Sequence, residues 1–114
     1  MKIESAVMTL FNVTAMVDGN VSDDEKKMIF DVMKNQFFCS EKELETGFEK
    51  NLKQLEENTM GMIQKAVLTM REECSAKQMK NVIKLLKDLA TIDKNLDRRE
   101  MMIIELLEQL TEEE

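Results

Sequence analysis

The chain has no proline, no histidine, no tryptophan and no tyrosine, and only three glycines among its 114 residues. Without proline, nothing forces a helix to kink or stop through loss of an amide donor. Without histidine, the usual Cys/His zinc arrangements are closed, and so is the side chain most often used for acid–base catalysis. No run approaches the roughly 18 apolar residues of a membrane span. The first seventeen residues are interrupted by Glu4, Thr9 and Asn12, which does not fit a secretory signal. The expected location is the cytoplasm, without direct membrane insertion. Cys39 and Cys74 are then expected as reduced thiols, although a bridge between them stays open to the sequence.

Positive charge is also scarce. Sixteen Lys and Arg face 23 Asp and Glu, for a net charge of −7. Phosphate backbones and anionic membrane surfaces call for clustered basic residues, so no nucleic acid is expected as a partner. Acidity serves solubility first, and it permits a cation or a basic protein partner.

What remains is helix-forming material. Leu, Met, Lys, Glu and Ala dominate, and all rank high in helix propensity. Hydrophobic residues make up 43% and charged residues 34%, a globular rather than a disordered balance. The length suits one domain, residues 1–114. Ser22-Asp23-Asp24-Glu25, Ser40-Glu41-Lys42-Glu43 and Ser75-Ala76-Lys77-Gln78 have the form of capping boxes, and Asp97-Arg98-Arg99-Glu100 is the Asp-capped version. Apolar residues at three- and four-residue spacing predict amphipathic helices at about 4–17, 23–37, 41–56, 59–73, 76–91 and 98–111. The first is expected to bury one face, carried by Ala6, Val7, Leu10, Phe11 and Thr14. The fold class expected is all-α: a single bundle of six to seven helices with an internal pseudo-repeat of acidic helix-loop-helix units.

That repeat is the most informative pattern. Residues 15–25 read Ala-Met-Val-Asp-Gly-Asn-Val-Ser-Asp-Asp-Glu, and residues 90–100 read Ala-Thr-Ile-Asp-Lys-Asn-Leu-Asp-Arg-Arg-Glu. Asp18 pairs with Asp93, Asn20 with Asn95, Val21 with Leu96, and Glu25 with Glu100. In each copy a helix ends near the Asp, and a turn follows in which Gly19 or an Asn accepts positive φ. An apolar residue then stands one place before the cap, where it packs on the next helix. Capping and turn chemistry account for every element without a ligand.

The two copies resemble the TerB-like family, whose motif runs Ala-x-x-Asp-Gly, a residue, an apolar position, three residues and Glu. Ala15 to Glu25 follows it closely. Ala90 to Glu100 departs at Lys94, where the family has glycine. The resemblance spans nearly the whole chain. It implies a bacterial protein linked to resistance to tellurite and other stresses. Such proteins act in complexes with protein partners near membranes, and their acidic residues are associated with metal chelation. A related helical domain occurs in a membrane-anchored J-domain co-chaperone; this chain, without J domain or anchor, looks like the stand-alone form.

Candidate cation ligands follow from the same loops: Asp18, Asp23, Asp24 and Glu25 in the first copy, and Asp93, Asp97 and Glu100 in the second. Carboxylates suit hard cations of the calcium or magnesium class, but the spacing is not that of an EF-hand. Lys94, Arg98 and Arg99 weaken the negative potential of the second copy. Of the eleven methionines, Met28, Met62, Met70 and Met79 stand at core positions and read as adaptable filler. Met60, Met62, Met101 and Met102 are candidates for a groove that takes a partner helix. Cys39 and Cys74 precede or adjoin helix caps, where a thiol can be activated, and the plainer reading is a half-buried small hydrophobe. The expected function is a non-enzymatic stress-response and interaction module with acidic loops that bind a divalent cation. The alternative is a protein-binding helical domain without metal.

Overall fold

The computed structural model describes residues 1–16, 21–37, 39–90 and 105. They form five helices: α1 (Ile3–Met16), α2 (Asp23–Phe37), α3 (Glu41–Glu57), α4 (Thr59–Glu73) and α5 (Ala76–Ala90). No strand occurs among the described residues. The first five helices therefore lie within one residue of the spans expected from apolar spacing. The expected sixth helix, 98–111, lies outside the described residues except for Glu105. Most of the second acidic copy, 91–100, lies outside them as well. The helix count of six to seven and the structural pseudo-repeat thus rest on the sequence alone.

Local chemistry explains the helix starts. At α2 the Ser22 amide donates to Glu25 Oε1 at 3.0 Å and the Glu25 amide donates to Ser22 Oγ at 3.2 Å. This is a complete capping box. The box at α5 closes in the same way, with Ser75 N to Gln78 Oε1 at 2.9 Å and Gln78 N to Ser75 Oγ at 3.2 Å. At α3 the exchange differs. The Glu43 amide donates to Ser40 Oγ, but the Ser40 hydroxyl, not its amide, donates to Glu43 Oε1. Between α3 and α4 a single residue does two jobs. Asn58 closes α3 through its amide on Gln54 O, and it opens α4 by accepting from Gly61 N at 3.1 Å.

The fold is built around α1. The sequence suggested one buried face, yet every residue from Ala6 to Ala15 is buried. A helix enclosed on all sides needs few polar groups of its own, and no charged residue occurs between Glu4 and Asp18. The other four helices all pack on it. They contribute Ile29, Phe30 and Met33 from α2, Leu44 and Phe48 from α3, Ala66 and Met70 from α4, and Met79, Ile83, Leu86 and Leu89 from α5. α4 lies most fully along α1, an approach that the small side chain of buried Ala66 permits. Met70 and Met79 are core filler as expected, whereas Met28 and Met62 are only half-buried.

Three polar side chains are buried in α1. Thr9 and Thr14 donate back to Ser5 O and Leu10 O at 2.7 and 2.9 Å. Asn12 instead reaches across to α3. Its Nδ2 donates to Asn51 Oδ1 at 2.9 Å, and Asn51 Nδ2 donates to Thr9 Oγ1 at 2.9 Å. Among the described residues, the buried Asn12 Oδ1 has no hydrogen-bond partner. Over the α2–α3 contact, Phe30 and Phe48 meet edge to face at 5.5 Å, and Lys26 Nζ lies 5.4 and 5.2 Å from their ring centres.

Candidate functional site

The acidic start of α2 does not gather its carboxylates. Asp23 and Asp24 are exposed, while Glu25 is buried and has an oxygen committed to the Ser22 amide. Three acids in the first turn also complement the positive end of the helix dipole. Among the described residues, no group of three or more Asp, Glu or Cys side chains is placed to hold a metal ion. Asp18, Asp93, Asp97 and Glu100 lie outside the described residues.

A different feature opens on the described surface. A groove of about 1030 Å³ runs between α3 and α4, over the beginning of α1. Its apolar lining includes Ile3, Met8, Met33, Phe37, Leu44 and Met62. Of these, Ile3, Phe37 and Met62 are half-buried, while Met8, Met33 and Leu44 belong to the buried core. Met62, one of the methionines singled out for such a groove, is in it. Met60 is not: it is 65% exposed on the outer side of α4. Met101 and Met102 lie outside the described residues.

The groove also has a polar anchor that the sequence pattern did not reveal. Asn51 lines it and is at the same time tied inward to Asn12 and Thr9. One face of α3 is thereby held against α1 at the groove floor.

Both cysteines are free and half-buried. Burial pushes the Cys39 thiol up from its ordinary value, and Glu43 and Glu4 add to the rise. Cys74 is raised by burial and then by Glu73. Its Sγ lies 3.9 Å from Met70 Sδ. A raised thiol is protonated near neutral pH and is a poor nucleophile. These positions act as small hydrophobes at the edge of the core.

No helix among the described residues is long and apolar enough to cross a membrane. Neither the curated proteins nor the solved structures include a significant match to the chain. A family model does match, over residues 4–112. That span takes in all five helices and both acidic motifs, and by it the chain belongs to the family of the tellurite resistance protein TerB.

Proposed function

We propose that this TerB-family chain is a non-enzymatic, cytoplasmic stress-response module that works by holding a protein partner. The observation that carries this reading is the groove over the start of α1, where half-buried Ile3, Phe37 and Met62 lie among charged and polar residues. A groove that combines apolar residues with a charged rim suits an amphipathic helix. The Cys39 thiol in the groove and the Cys74 thiol elsewhere are both raised rather than activated, and histidine is absent from the sequence. Both facts favour binding over catalysis. The partner is expected to include proteins held near a membrane, as the family association implies.

The test is site-specific photocrosslinking in bacterial cells. A benzoylphenylalanine at Met62 should give a discrete protein adduct that the same label at Met60 does not. Equal adducts at both positions, or none at Met62, would end the reading.

The second reading, a divalent cation of the calcium or magnesium class bound by the acidic loops, keeps its support from Asp23 and Asp24. These stand exposed side by side at the start of α2, five and six residues after Asp18. Calorimetry with calcium, magnesium, manganese and zinc tests it, on the wild type and on Asp18→Asn. Saturable heat that the substitution removes supports a cation site; no heat at sub-millimolar affinity in the wild type rejects it.

A further inference from the structure

The groove is electrically polarised along its length. α3 and α4 meet at Asn58, and their rim charges are ordered symmetrically about that corner. Lys50 stands eight residues before it and Lys65 seven after; Glu43 and Glu73 each stand fifteen residues away. With a rise of about 1.5 Å per residue, the lysines lie ~10–12 Å from the corner and the glutamates ~22 Å. Glu4, on the first turn of α1, joins the acidic end. Cys39 confirms the convergence, because it feels both Glu43 and Glu4. Lys2 shares that end and offsets one of its three carboxylates. Among the described residues, none of Glu4, Glu43, Glu73, Lys50 and Lys65 is held in an ion pair.

Resting on the partner-binding reading above, we propose that the groove takes an amphipathic helix with charges of opposite sign two turns apart. Its apolar stripe lies on Ile3, Phe37 and Met62, which are half-buried in the groove lining. A basic side chain seven or eight positions from an acidic one then faces Glu4, Glu43 and Glu73, while the acidic one faces Lys50 and Lys65. The separation follows from the rim itself, since Glu43 to Lys50 and Lys65 to Glu73 span seven and eight residues.

Three synthetic helical peptides with one shared leucine–isoleucine stripe test this, with fluorescence anisotropy on the full chain as the readout. One carries a Lys and a Glu two turns apart, one has Gln at both places, and one has Glu at both. The mixed-charge peptide should bind about three- to tenfold tighter than the neutral one, as two partly screened pairs allow. Its advantage should vanish at high salt. Lys50→Glu with Lys65→Glu, checked for an unchanged helical circular dichroism spectrum, should remove the preference. Equal binding of all three peptides overturns the charge inference and leaves the groove reading standing. No binding by any of them overturns both. Concentration-dependent dimerisation abolished by Met62→Glu would assign the groove to a second copy of the chain and also overturn the proposal.

Discussion

Asn12 and Asn51 share a buried hydrogen bond of 2.9 Å across 39 residues of sequence. The bond ties α1 to α3, and Thr9 completes it by accepting from Asn51. A buried pair of this type stabilises little over an apolar pair of similar shape, but breaking one partner is expensive. Asn51→Leu should therefore lower unfolding free energy by about 1–3 kcal/mol, since the buried Asn12 Nδ2 loses the acceptor it has in Asn51. The double variant Asn12→Leu/Asn51→Leu should recover most of that loss. Urea midpoints at constant m-value measure both. A double variant as unstable as the sum of its single changes would show that the pair does not act as a unit.

The capping box at α2 gives a graded series. Ser22→Ala should cost about 1 kcal/mol through loss of the acceptor for the Glu25 amide. Glu25→Gln keeps an acceptor oxygen for the Ser22 amide and should cost less than Glu25→Ala, which removes it and also empties a buried position. Thermal unfolding of the four proteins orders them. A cost for Glu25→Gln as large as that for Glu25→Ala would point to a need for the charge itself.

At the α3–α4 corner two effects of similar size oppose each other. Alanine is better than glycine in a helix by about 1 kcal/mol. A Cβ at Gly61, however, would run into the Asn58 side chain that caps α4. Moving that side chain forfeits a cap also worth about 1 kcal/mol. Gly61→Ala should consequently be close to neutral, while the same change in an Asn58→Ala background should stabilise. Chemical denaturation of the single and double variants decides the matter.

The cysteines set a pH dependence. Both thiols are raised in the folded chain, first by burial and then by neighbouring glutamates. The unfolded chain therefore loses its thiol protons at lower pH than the folded one. Below the unfolded value of about 8.5 the thiols contribute no pH dependence, and above it stability falls as pH rises toward the folded values. Cys39→Ser/Cys74→Ser should flatten the alkaline limb of a stability profile. Iodoacetamide labelling of the native protein at neutral pH should be slower than labelling of the urea-unfolded chain.

What could be read without coordinates was local. The boxes at Ser22 and Ser75 link residues three apart, so four consecutive letters suffice to find them, and the five described helices follow apolar spacing within single segments. At Ser40 the letters gave the cap but not which group of the serine would meet Glu43, because hydroxyl and amide compete for the same carboxylate. The enclosure of α1 was missed, although a signal existed: its uncharged stretch from Ser5 onward has no face suited to water. The Asn12–Asn51 bond was invisible, since each residue sits alone within an apolar pattern and only packing brings them together. The acidic motif, the most conspicuous feature of the sequence, finds its described part devoted to starting α2.

The enclosure of α1 bears on how the chain reaches its native state. This segment is synthesised before every helix that covers it, and its contacts on α4 and α5 lie some 50 to 80 residues further along. Until they emerge, an uncharged apolar stretch has nothing to pack against, and non-local pairing of that kind slows folding and invites self-association. Truncation within α4 or α5 should accordingly give not a smaller soluble bundle but a chaperone client, with the first helix as the sticky element.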